Sequence, residues 1–139
     1  MKRIVFLVLL AVCGWFSTAW CGSGFFMEGD YEGIRYGLLF YYDNSFAPFV
    51  DEFNSELVQA FREEGFRIYR AQPMSEGEIF DLALDVMSNG AESRGWDICL
   101  GLVFYYVHNY YWSYIQFDAY ALGYEGSPVI YLDTYYYYF

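Results

Sequence analysis

The chain is poor in positive charge. Its 139 residues hold 7 Lys+Arg against 18 Asp+Glu, a formal net charge of −11, and Lys2 is the only lysine. Nucleic acids and anionic lipid surfaces are held by Lys and Arg neutralising phosphate, so this balance argues against both as partners. Histidine is equally scarce. His108 is the only imidazole, so a two-histidine zinc site is excluded and any Ser-His or Cys-His catalyst would have to use it. The three cysteines, Cys13, Cys21 and Cys99, form no CxxC spacing, which leaves a thioredoxin-type redox role without support. Nor is there a GxGxxG, a phosphate-binding Walker loop, a GxSxG, an HExxH or a calcium loop. The residues therefore nominate no catalytic group, no metal and no cofactor.

Aromatic residues, by contrast, fill 25% of positions and hydrophobic residues 57%. That content excludes disorder, which needs low hydrophobicity alongside net charge, and the length suits one domain.

Residues 1–19 read as a signal peptide. Met1-Lys2-Arg3 forms a positive start, residues 4–12 an apolar stretch too short to span a bilayer, and Ser17 and Ala19 a small-x-small cleavage site. The product is exported, periplasmic or secreted, with arginine as its only basic side chain once Lys2 is removed. Cys13 and Cys21 also lie where a bacterial lipoprotein carries its acylated cysteine, but Val12 and Trp20 before them are too bulky for a good lipobox. A lipid anchor, placing the protein at the outer membrane, is thus the alternative to plain cleavage and the one route to a membrane. In an oxidising compartment Cys21 and Cys99 can close a disulfide; the competing reading of Cys99 is a buried thiol.

Residues 20–33, rich in glycine and without period, read as an N-terminal arm before a single α/β domain over 34–139. Residues 34–42 form an apolar strand. Phe49, Val50, Phe53, Leu57, Val58 and Phe61 then recur at helical spacing, with Asn44 or Ser45 to cap the start, Pro48 in the first turn and Gly65 at the end. A short strand at 66–69 follows. Ser75-x-x-Glu78 is a capping box opening a second amphipathic helix that stops at Asn89-Gly90. Strands at 98–107, 110–122 and 128–138 complete the order β-α-β-α-β-β-β: a mixed sheet in a two-layer arrangement, both helices on one face, ending in an antiparallel meander.

Glu78, Asp81 and Asp85 share one stripe of the second helix, which reads as a solvated face rather than a cation site. His108 falls at a hairpin turn, about nine residues along a strand from Cys99 and too far to pair with it. The aromatic load of the meander is more informative. Strand alternation puts Tyr110, Trp112, Tyr114, Gln116, Asp118 and Tyr120 on one face, with Tyr111, Ser113, Ile115, Phe117, Ala119 and Ala121 on the other. The second set suits a core. Of the first, Tyr110, Trp112, Tyr114, Gln116 and Tyr120 form the candidate partner-binding surface, because Tyr and Trp give large contact area at low entropic cost. A protein partner is the first reading and stacked sugars the alternative; cross-strand pairs that only stabilise the sheet are the third. The last strand, if unpartnered, is an aggregation-prone edge, which points to a homo-oligomer or an envelope protein.

Gly37-Leu38-Leu39-Phe40-Tyr41, the helix ending L-x-x-A-F-x-x-x-G-F-R-I (57–68), Gly95-Trp96-Asp97-Ile98-Cys99-Leu100-Gly101, and the strand pair from Phe117-Asp118-Ala119 to Val129-Ile130 resemble the small envelope domains of the TolB amino-terminal part and of CsgG- and LpoB-type lipoproteins. The resemblance covers roughly 34–134 and implies a non-catalytic exported module that binds other envelope proteins, with no functional residue carried over. The tyrosine-rich end before Phe139 also resembles the closing strand of an outer-membrane barrel, but the helical stretch over 48–64 occupies too much of the chain for that.

Overall fold

The computed structural model describes residues 22–139. Residues 1–19, read above as a signal peptide and including Cys13, lie outside the described residues, as does Cys21. Strands β1 (Ser23–Tyr31) and β2 (Ile34–Tyr42) form a hairpin; helix α1 (Val50–Glu63), β3 (Arg67–Ser75), helix α2 (Glu76–Asn89), β4 (Ile98–His108), β5 (Ser113–Tyr124) and β6 (Ser127–Tyr138) follow. They build one six-stranded sheet in the order β3-β1-β2-β4-β5-β6, in which β2 and β4 are parallel and every other neighbouring pair is antiparallel. The expected mixed α/β class and order of elements hold, including the closing meander.

The N-terminal arm is the first departure, because it contains β1, an interior strand. Its glycines mark close approach rather than slack: a Cβ on Gly24 would meet Ile79 at 2.7 Å, and one on Gly29 would meet the Arg67 carbonyl oxygen at 1.7 Å, beside the bulge between Glu28 and Gly29. Glu32 and Gly33 both take positive φ, 50° and 84°, making the two-residue turn that returns the chain into β2.

The second departure is in the layers. The helices lie on opposite faces, giving three layers instead of two. Phe53, Leu57 and Phe61 of α1 pack on Phe25, Leu38 and Phe40, whereas Ile79, Leu82 and Val86 of α2 pack on Phe26, Leu39 and Trp96. The crossover β2-α1-β3 travels towards the β3 edge and β3-α2-β4 travels back. Two crossovers of the same right hand running in opposite directions must leave the sheet on opposite sides.

Local signals mostly act as read. Ser75 Oγ accepts from the Glu78 N–H at 3.2 Å and the Glu78 carboxylate accepts from the Ser75 N–H at 2.9 Å, closing the capping box. Before α1, however, a 3-10 turn intervenes at Asn44–Phe49, capped by Asp43 rather than Asn44 or Ser45: Asp43 Oδ2 accepts from Ser45 N at 3.2 Å and from Ser45 Oγ at 2.7 Å. Pro48 lies in that turn, and the strand expected at 66–69 extends to Ser75. The buried Tyr42 hydroxyl is hydrogen-bonded to Oδ1 of buried Asn54, tying α1 to the sheet.

Candidate functional site

The β4–β5 connection is wider than the two-residue turn expected at His108-Asn109. His108 ends β4, and residues 109–112 form the turn, in which Asn109 Oδ1 accepts from Tyr111 N and Trp112 N at 2.9 Å each and Asn109 N donates to the Trp112 carbonyl at 2.9 Å. A side chain that satisfies two turn N–H groups leaves the intervening rings outside. Tyr110 and Trp112, 94% and 62% exposed, therefore stand at the tip of the hairpin rather than within a strand.

Tyr114, Gln116, Asp118 and Tyr120 do share one face of β5, as their alternation requires. It is the face that carries α2. Tyr120 packs at the rim of the α2 cluster, so this face is partly covered, contrary to the expectation that only the opposite face meets a helix. Towards the 109–112 turn the helix is absent, and β6 adds its own row: Tyr114 pairs with Tyr138, Gln116 with Tyr136, Asp118 with Thr134 and Tyr120 with Tyr131.

The surface has two aromatic patches separated by a polar band. Near the turn, Tyr114 lies 5.8 Å from Tyr136 and 5.3 Å from Tyr138 between ring centroids, and Trp112 meets Tyr138 edge-on at 6.3 Å. Asp118 Oδ1 forms the middle, accepting from Thr134 Oγ1 at 2.7 Å and from Gln116 Nε2 at 3.2 Å. The Tyr131 hydroxyl lies 2.5 Å from Thr134 Oγ1, and its ring meets Tyr120 edge-on at 5.6 Å. Between Tyr120 and α2 an apolar recess of about 40 Å³ is lined by residues including Tyr41, Phe80, Gly101 and Val103. Thus Tyr114, Gln116 and Tyr120 are held in one surface and Trp112 borders it; Tyr110 extends beyond, meeting Tyr111 at 5.1 Å. That the aromatic residues of β6 share this face escaped the sequence reading. Its signal is the alternation of Tyr136 and Tyr138, which the strand pairing places opposite Gln116 and Tyr114.

The other nominated groups are in structural use. His108 Nδ1 lies 2.5 Å from Ser113 Oγ across the hairpin mouth, so a hydroxyl rather than a carboxylate orients the ring. Asp85 accepts from Arg94 Nε at 2.9 Å and from Asn89 Nδ2 at 2.8 Å, bonds that lower its pKa. Glu78 serves the capping box. No group of three or more His, Cys, Asp or Glu side chains that could hold a metal ion occurs among the described residues. Cys99 is buried beneath α2, where loss of solvent pushes its thiol up to about 12. It stands opposite Gly37 of β2, and its expected disulfide partner, Cys21, lies outside the described residues.

No helix among the described residues is long and apolar enough to cross a membrane. No family model matches the chain, and no curated protein or solved structure matches it at a significant level.

Proposed function

We propose that the protein is an exported, non-catalytic domain of the cell envelope that binds a protein partner through the tyrosine-rich surface of β5 and β6 and the 109–112 turn. The carrying observation is the surface in which exposed Trp112, Tyr136, Tyr138 and Tyr131 surround half-buried Tyr114 and the Asp118 band. Rigid rings with wet hydroxyl ends around a hydrogen-bonded centre have the composition of interface hot spots, and the recess beside Tyr120 can admit a small apolar group. With a chain net charge of −11, a basic partner surface is favoured for long-range attraction. Export rests on residues 1–19, and the envelope setting on the resemblance of 34–134 to envelope domains.

Site-specific photo-crosslinking in the native host tests this reading. A photoreactive residue at position 116 is expected to give one discrete protein adduct, and the same residue at Tyr69, exposed on β3, none. No adduct at 116, or the same adducts from both positions, refutes it. Stacked sugars are the second reading, favoured by the side-by-side Tyr136 and Tyr138 rings, 6.3 Å apart with their planes inclined by 25°. Quenching of Trp112 fluorescence by cell-wall oligosaccharides, abolished in Trp112→Ala, would favour sugar over protein.

A further inference from the structure

The two edges of the sheet are built differently. The β3 edge carries features that discourage pairing with another chain. Arg67 and Arg70 stand 3.9 Å from Asp30 and 3.8 Å from Glu28, Pro73 has no N–H to donate, and β3 itself is bulged at Tyr69, opposite the step from Glu28 to Gly29. At the other edge, the first half of β6 carries Pro128, Asp133 and an irregularity near Leu132, opposite Ala119 and Tyr120. Beyond it, residues 135–139 hold five exposed aromatic rings and neither a charged side chain nor a proline.

The outward backbone groups can be identified. Phe139 N donates to the Ser113 carbonyl at 3.1 Å, so residues 139, 137 and 135 turn their polar groups towards β5, and residues 138, 136 and 134 turn theirs away. The outward N–H of Thr134 donates to the Asp133 carboxylate at 2.8 Å. Tyr136 and Tyr138 remain, each presenting an N–H and a C=O along the edge.

We propose that this edge pairs with the same edge of a second copy, antiparallel, with the two-fold axis at Tyr137, so that Tyr136 of each copy exchanges both backbone bonds with Tyr138 of the other. Two outward residues spaced two apart are self-complementary under that symmetry, and every outward donor named above finds an acceptor. Asp133 falls outside the paired segment, so neither copy faces its own charge there. Five rings of ~200 Å², from 48% to 72% exposed, offer at most roughly 600 Å² per copy, or about 1,200 Å² in the pair, the lower bound of a specific interface. The like net charge of the copies opposes association at a distance, so pairing strengthens as salt screens it. The pairing shares the rings of Tyr136 and Tyr138 with the proposed face, but it is tested through outward backbone groups of the edge that the face reading does not use.

Sedimentation of the purified full-length chain at about 100 µM, where a Kd of ~10 µM already gives association, provides the test. The wild type is expected to be a dimer that tightens with salt. Tyr136→Ala removes the ring and keeps the N–H, and dimerises with a Kd raised less than about tenfold. Tyr136→Pro removes the outward N–H as well, which costs no bond to β5, and is expected to be monomeric. A monomeric wild type, a dimer that survives in Tyr136→Pro, or equal loss in both variants overturns the proposal; equal loss would assign association to the ring. A second measurement does not depend on the proline variant folding. Tyr137→Cys places a thiol on the axis facing its own copy and is expected to form an intermolecular disulfide on oxidation that Tyr135→Cys does not form. Equal crosslinking of both also overturns the proposed register.

Discussion

Tyr42→Phe isolates the polar link between α1 and the sheet. Tyr42 is fully buried, its ring meets Phe46 and Phe53 at 5.3 and 5.9 Å, and its hydroxyl bonds Asn54, itself only 8% exposed. The substitution keeps the ring packing and removes one oxygen. What remains is a buried amide oxygen without this donor, a loss of about 1–3 kcal/mol. With a urea dependence of ~1.5 kcal/mol per molar, the unfolding midpoint should fall by roughly 1 M. Replacing both partners, Tyr42→Phe with Asn54→Leu, removes the unsatisfied group and should recover most of the loss. The alkaline limb gives an independent sign. Burial raises the Tyr42 phenol above its ordinary 10.0, so the unfolded chain loses that proton first; the contribution is complete below pH 10 and is lost as pH rises above it. Tyr42→Phe should therefore flatten the decline above pH 10 relative to wild type. Urea titrations of the three variants at neutral and alkaline pH measure both effects. An unchanged midpoint in Tyr42→Phe, or losses that simply add in the double variant, would falsify the reasoning.

Two further outcomes follow from the packing beneath α2. Gly37→Ala puts a Cβ 2.5 Å from the ring of Trp96, which is buried and held by its Nε1 donation to Glu28 at 3.0 Å, so it should destabilise by about 1–3 kcal/mol, and by less in a Trp96→Phe background; equal losses in both backgrounds would show that the indole is not the obstacle. Cys99, raised from 9.0 to about 12, keeps its full contribution below pH 9 and loses up to ~1.4 kcal/mol per pH unit between those values, a slope that Cys99→Ala should remove. In the native protein its thiol should resist alkylation, with or without prior reduction, until the chain unfolds; rapid native labelling, or labelling that requires reduction, would contradict a buried free thiol.

What the sequence displayed depended on whether a residue's role was local. The α2 capping box needs only Ser75 and Glu78, and the α1 stripe only its own spacing, so both are visible along the chain. Gly24 and Gly29 look like linker residues because the atoms that crowd them belong to Ile79 and Arg67, about 40 or more positions away. The Glu32-Gly33 turn is a usable signal that the reading of 20–33 as a glycine-rich arm without period missed. Helix placement is hidden for a related reason: the order of elements along the chain does not give the order of strands across the sheet, and nothing in it indicates that the two crossovers run in opposite directions. Within the surface, alternation gave the face of β5. The turn geometry that lifts Tyr110 and Trp112 off it depends on Asn109 folding back onto two backbone N–H groups.

The same topology accounts for the exposed tyrosines. Six strands about 4.8 Å apart, at ~3.3 Å per residue along their length, give a face roughly 29 Å wide and at least 30 Å tall. A helix of 14 residues is about 21 Å long and ~10 Å wide, so it covers near a quarter of such a face. α2 runs obliquely, from Ile79 against Gly24 of β1 to the Val86 carbonyl near Gly123 of β5. Its path leaves the ends of β5 and β6 nearest the 109–112 turn uncovered. Two helices on one face would have covered one side further and abandoned the other; one on each side leaves both partly open. Residues there must pack with strand neighbours while tolerating water, and tyrosine satisfies both demands with an apolar ring and a polar tip. Sheet stability alone therefore accounts for tyrosine at these positions. It does not account for an uncharged, proline-free edge at residues 135–139 when the opposite edge is guarded by Arg67, Arg70 and Pro73, and that asymmetry separates a surface that is merely tolerated from one suited to association.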